Sequence, residues 1–323
     1  MADISSSASH AASAPLLALR AGDLALDIAP ATGGIIAGFR HRDIPLMRAP
    51  DAGQIAAGNP RGGASWPLVP YSNRIRNGRF PWLGDTVELA RDELSGPHAI
   101  HGDGWRRAWT VLSASPEEAR IAYRHPGDGF WPFAYAAEQH FALTAEGLRL
   151  GMSLTNLGTR AMPAGLGHHP YFRRARDTRL AVKLGDMWLG DEERFPARRV
   201  PLPAAFDFAT GRTVDPVELD AAFLAWERPA RIEWPDAGLA LEISADDLFD
   251  RLIVFIPPGQ SCFAVEPVSH DTDAVNRSPG TATGLRALAP GETLAGEIRF
   301  DVGSLEARPQ GAKSVARARS VGS

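Results

Sequence analysis

Five short stretches concentrate polar chemistry in this chain: YSNRIRNGRF at 71–80, HGDGW at 101–105, GLGHHPYF at 165–172, ELDAAF at 218–223 and VEPVSHDTDAVN at 265–276. Together they offer a carboxylate, imidazoles, an amide and a guanidinium, the inventory for moving protons on a hydroxylated molecule. His169, in a turn-like GHHPY setting, is the candidate general acid, because an imidazole holds or releases a proton near neutral pH. Glu266 follows apolar and small residues and precedes Pro267. A carboxylate there is expected to be partly desolvated, with a raised pKa suited to a general base. His101 precedes Gly102 at a point where the backbone can turn tightly and present the ring to a ligand. Asn73 and Arg74 supply directed hydrogen bonds without changing protonation state, and Asp220 can accept bonds from hydroxyl groups. Each residue taken singly also has an ordinary structural reading as a loop hydrogen bond, an edge salt bridge or a solvated charge.

The elements that must position these groups read as strands. The 32 Gly and 26 Pro recur through the chain instead of collecting in one linker, which suits many short strands better than long helices. Leu24, Leu26 and Ile28 alternate with other residues, and Trp105, Arg107, Trp109 and Val111 share one two-residue period. HFALTAEGLRLGMSLTN predicts a hairpin, with Phe141 and Leu143 leading to a turn at Glu146-Gly147 and Leu148, Leu150, Met152 and Leu154 alternating on the return. RLIVFIPP and CFAVEP predict neighbouring strands joined through Pro257, Pro258 and Gly259. Trp131, Phe133 and Tyr135 are core candidates first, with an aromatic wall as the alternative. The reading is one large, mostly antiparallel all-β domain over 16–305 with minor helical content, flanked by flexible termini at 1–15 and 306–323.

Bulk composition excludes several classes. The formal net charge of -4 argues against a nucleic-acid partner, and the single cysteine, Cys262, cannot form an intramolecular disulfide. No apolar run approaches the roughly 20 residues of a membrane helix, and the first residues lack the basic start of a secretory signal, so a cytoplasmic protein without a membrane partner is expected. The glycine patterns complete neither a P-loop nor a dinucleotide fingerprint, and HExxH is absent. No cofactor and no metal are expected; the oligomeric state is not set by the sequence.

In combination the motifs resemble the aldose 1-epimerase family, the galactose mutarotases. The matching pieces are NRI at Asn73 to Ile75, HG at His101 and Gly102, HPYF at His169 to Phe172, LD at Leu219 and Asp220 with Phe223 beyond, and VEP at Val265 to Pro267 followed by DAVN at Asp273 to Asn276. The resemblance implies a large β-supersandwich and a cofactor-free enzyme that interconverts the α and β anomers of a small-molecule aldose. It implies Glu266 as catalytic base, His169 as principal acid and His101 as the second active-site histidine. Asn73, Arg74 and Asp220 would then bind the sugar. Two departures bear on substrate preference: His168 stands where the family commonly has Asn, and HG continues as Asp103-Gly104 rather than a Gly-rich form.

Three competing readings follow from the same residues. A glycoside hydrolase would need two carboxylates facing one bond, with Asp220 as the second. A sugar-binding protein would use the same hydroxyl-binding groups without turnover. A phosphosugar mutarotase could draw on Arg74, Arg76, Arg106, Arg107, Arg173 and Arg174, although proximity in sequence does not make arginines converge.

Overall fold

The computed structural model describes residues 15–91, 96–277 and 282–305. The expected loose termini fall outside these residues, apart from Pro15. Among the described residues every paired strand is antiparallel, and two large sheets dominate. The nine-stranded sheet runs Thr110–Ala114, Glu118–His125, Tyr135–Leu143, Gly147–Asn156, Thr293–Ser304, Leu239–Ala245, Trp226–Trp234, Arg179–Leu184 and Phe208–Thr213. The eight-stranded sheet runs Pro196–Val200, Met187–Gly190, Leu219–Phe223, Arg251–Ile256, Cys262–Val268, Gly167–His168 and Pro67–Leu68, with Tyr171–Arg173 also pairing to Cys262–Val268. Among the described residues helix is confined to Ala52–Ala56 and short 3-10 turns.

Side-chain alternation divides the eight-stranded sheet into two faces. Leu252, Val254, Ile256, Phe263 and Val265 join the main core, which also contains Ile298 and Phe300 of the nine-stranded sheet. Phe172 touches Phe263 on its own sheet and Phe300 across the sandwich, at centroid distances of 6.1 and 6.3 Å. Burying each such side chain contributes roughly 1.5–3 kcal/mol. The intervening residues Ile253 and Val268 belong to a second buried cluster with Trp66, Leu68 and Trp105, on the opposite face. Glu266 is in phase with Val268, so the same alternation that drives Val265 into the core turns the carboxylate to the other side.

The two hairpins read from sequence form, with Leu143 opposite Leu148 and Ile253 opposite Glu266. The period from Trp105 to Val111 does not make one strand. Gly104–Arg106 is a 3-10 turn, the strand begins at Thr110, and Val111 is exposed. The Trp109 indole donates to the Gly104 carbonyl at 2.9 Å, and the Trp109 backbone N–H bonds to Pro30. The segment is therefore held by one bond within itself and one to the distant Pro30 carbonyl, outside any sheet ladder. Trp131, Phe133 and Tyr135 are core, resolving that alternative in favour of packing.

Candidate functional site

Glu266 lies within the strand Cys262–Val268, with neighbours on both sides, and is only 2% exposed. Its Oε1 stands 3.3 Å from His169 Nε2, while its Oε2 has no hydrogen-bond partner. Burial, aided by the Asp220 charge and opposed by Arg74, lifts this carboxyl well above its ordinary 4.5. His169 follows the strand Gly167–His168 and is pinned through its backbone N–H to the Trp66 carbonyl at 3.0 Å. Its ring is held between Tyr171 and Trp66, at 4.6 and 4.8 Å, and its Nδ1 is unpartnered. Burial first, then the neighbouring His101 and Arg48, push its pKa well below 6.5. Burial thus favours the neutral form of both groups.

His101 and Asn73 form a tight reciprocal unit. Both have positive φ, 62° and 60°, and the His101 backbone N–H donates to the Asn73 carbonyl at 2.9 Å. The Asn73 N–H in turn donates to His101 Nδ1 at 3.1 Å. An accepting Nδ1 leaves the proton on Nε2, and burial lowers the ring's pKa to about 3, so His101 is a neutral donor. Gly102 permits the turn: its φ is +68°, and a Cβ there would lie 2.1 Å from the Val69 carbonyl oxygen. Asn73 Oδ1 accepts from the Arg74 N–H at 2.8 Å, and Asp220, on Leu219–Phe223, pairs with Arg194.

All six sequence-derived candidates, Asn73, Arg74, His101, His169, Asp220 and Glu266, line one cavity of about 300 Å³. Trp66, Trp105 and Tyr171 add its aromatic surface. Sequence reasoning missed Arg48, Arg61 and Arg194, which also reach the cavity. Arg48 donates to the Gly63 carbonyl and lies over Tyr171 at 4.5 Å. Tyr171 was signalled only by its place inside HPYF; nothing local marks the arginines.

The remaining arginines near the motifs do not line this cavity. Arg76 pairs with Asp191 and Glu193, Arg107 with Asp128, Arg173 with Asp236 and Arg174 with Asp215, while Arg106 covers Trp105. His168 faces away from it too. It is fully buried between Ser65 and Gln139, its Nδ1 facing Ser65 Oγ and its Nε2 3.2 Å from Gln139 Oε1. Asp103 is likewise buried outside the cavity. Among the described residues no three His, Cys, Asp or Glu side chains are grouped to hold a metal ion, and no helix is long and apolar enough to cross a membrane.

A polar cavity over the middle of one sheet in a large antiparallel sandwich, with a buried acid–imidazole pair at its base, defines a class of small-molecule site. Comparison with known proteins places it: the aldose 1-epimerase family profile matches residues 18–301, and the chain belongs to that family. The uncharacterized Escherichia coli protein YphB is 31% identical over 294 residues, 87% of this chain and 96% of its own. The crystal structure of an Escherichia coli K12 protein described as a candidate aldose 1-epimerase superposes with a TM-score of 0.82 at 31% identity, covering 90% of this chain and 99% of that one. A galactose mutarotase-like protein of Clostridium acetobutylicum shares the fold, with a TM-score of 0.80 at 18% identity over 89% and 94% of the two chains.

Proposed function

We propose that this protein is an aldose 1-epimerase that opens and recloses the cyclic hemiacetal of an aldose, with Glu266 as base and His169 as acid. The observation that carries this reading is the 3.3 Å approach of His169 Nε2 to Glu266 Oε1 in a cavity of monosaccharide dimensions. The reactive arrangement is ionised Glu266 beside protonated His169. Glu266 takes the proton of the C1 hydroxyl while His169 delivers its proton to the ring oxygen, and the bond from C1 to that oxygen breaks. Rotation about C1–C2 turns the other face of the open aldehyde, and reversal of both transfers closes the ring as the opposite anomer. Proton count is unchanged over the cycle.

His101 serves as a fixed neutral Nε2–H donor toward developing negative charge, and the Arg74 cation reinforces it. Asp220 and Asn73 hold hydroxyls so that only C1 turns. Saturation transfer between the anomeric proton resonances of glucose, galactose and a pentose tests the reading: faster exchange with protein present supports it, and exchange at the buffer rate for every sugar overturns it. A second reading, an anionic sugar such as a phosphosugar, is favoured by the four guanidinium groups of Arg48, Arg61, Arg74 and Arg194 against two carboxylates along the cavity. Glucose 6-phosphate in the same experiment separates the two, since preference for it over glucose selects the anionic substrate.

A further inference from the structure

Asn73 and Arg74 lie on a short stretch, residues 72–76, that is gripped along both edges. On one edge the odd-numbered residues meet residues 99–101: Asn73 exchanges its two bonds with His101, and Ile75 pairs with Ala99. On the other edge the even-numbered residues meet the loop that follows the Glu266 strand. The Ser72 N–H donates to His270 Nε2 at 3.0 Å, the Asp273 N–H to the Arg74 carbonyl at 3.1 Å and the Arg76 N–H to Asp273 Oδ1 at 3.0 Å. His270 is 3% exposed and lies outside the cavity. Its Nδ1 stands 2.8 Å from the Asp271 carbonyl, which can only accept. Nδ1 therefore carries the ring proton, and Nε2 is left as the acceptor that the Ser72 N–H needs. Burial keeps the ring neutral, lowering its pKa to about 4. The ring also lies against Gly165, where a Cβ would stand 1.9 Å from His270 Cδ2, and the Gly165 N–H is bonded to the Pro70 carbonyl at 2.8 Å. One imidazole thus joins three of the polar stretches read from sequence, those at 71–80, 165–172 and 265–276.

We infer that His270 is a positioning residue that, through Ser72, holds the backbone of Asn73 in place and so fixes His101 in the tautomer with its proton on Nε2. The contacts run without a break: the Ser72 N–H is tied to His270, and the next N–H, that of Asn73, is tied to His101 Nδ1. Asn73 has φ 60°, a conformation that a residue other than glycine keeps only where its surroundings fix it. An Asn73 N–H free to turn away would release His101 Nδ1. The imidazole would then divide between two tautomers, of which only one offers the Nε2 donor. The inference rests on the epimerase reading for what that donor does to a substrate, whereas the tautomer itself is independent of that reading.

Nitrogen NMR on the intact, isotope-labelled protein tests this first. A scalar coupling across the hydrogen bond should link the Ser72 amide nitrogen to His270 Nε2, and His101 should show a single tautomer protonated on Nε2. Absence of that coupling, or a proton on His101 Nδ1, overturns the inference without any variant having to fold. H270M then removes the acceptor at similar volume, and H270Q returns one, because the Gln amide oxygen reaches about as far as Nε2. H270M should divide His101 between its tautomers and lower kcat for anomer exchange by at least about tenfold, while H270Q should restore the single tautomer and bring kcat to within about threefold of the intact protein. A single His101 tautomer in H270M, or H270Q as impaired as H270M, overturns the positioning role. The two readings fail separately. A His101 tautomer that depends on His270 in a protein without faster anomer exchange keeps the positioning and overturns the epimerase, whereas fast exchange with a tautomer indifferent to His270 does the reverse.

Discussion

Asp103 and Glu266 are 1% and 2% exposed, respectively, and the protein treats them in opposite ways. Asp103 accepts the Tyr135 hydroxyl at 2.6 Å and the Tyr123 hydroxyl at 2.9 Å, lies 3.0 Å from His125 Nδ1 and is approached by Arg107 at 3.4 Å. Burial alone would raise its pKa, but the hydrogen bonds from His125, Tyr135 and Tyr123 overcome that and hold it below 3.8. The same contacts lift His125 above 6.5 against its own burial. Glu266 has one imidazole at 3.3 Å, a bare second oxygen and a raised pKa. A carboxylate that the chain satisfies completely holds structure together; one that the chain leaves half satisfied is available to a substrate.

The comparison can be broken by exchanging each carboxylate for its amide. E266Q should lose about 10³-fold in the rate of anomer exchange while folding normally, because no network depends on its charge. D103N should do the reverse, lowering unfolding free energy by about 3 kcal/mol at neutral pH because His125 and Arg107 lose their counter-charge. Urea unfolding and anomer-exchange rates on the two variants give both readings.

Their pH dependences should also run in opposite directions. The Asp103 carboxyl is depressed in the folded state, so its contribution is fully present above the ordinary 3.8 and is lost as pH falls through the folded value. The stability gap between wild type and D103N should therefore narrow in acid. Glu266 is raised, so the folded chain keeps its proton to higher pH than the unfolded chain does. Wild type and E266Q should be alike below 4.5, and E266Q should gain relative stability as pH rises above it. Denaturant midpoints between about pH 2 and pH 8 read both trends, the Asp103 one below 3.8 and the Glu266 one above 4.5.

A finer distinction concerns the histidines. With His169 depressed, the acid limb of kcat/KM should fall below pH 6.5, and H101N should move that limb toward higher pH, because His101 is one of the neighbours that depress the His169 ring. The smallest effect is expected at His168. H168N should change anomer-exchange rate by less than about threefold and lower stability by about 1 kcal/mol, since the ring bonds only Ser65 and Gln139.

Much of the site was legible because its residues sit on strongly patterned pieces. The apolar run before Glu266 announced a strand and a desolvated carboxylate; the face that carboxylate takes follows from the period of two along Cys262–Val268, seen once the structure places Glu266 inside that strand. Adjacent residues of an extended segment diverge, and His168 and His169 do so, one into the core and one into the cavity. Arg48, Arg61 and Arg194 were not legible, because a guanidinium on a loop or strand end is aimed by tertiary contacts that leave no local period. Trp105 to Val111 failed for a related reason: two tryptophans at even spacing belong to different buried clusters, and local hydrogen bonds turn the chain between them. The Asp103 network was hidden too, since its partners Tyr123, His125 and Tyr135 come from strands more than fifteen residues away along the chain.

The central claim is that Glu266 and His169 together move the protons of ring opening. Polarimetric relaxation of freshly dissolved α-D-glucose and α-D-galactose, with intact protein, E266Q and H169N of verified fold, tests it most directly. The account predicts acceleration by the intact protein that is lost in both variants. Acceleration that survives either substitution would contradict it.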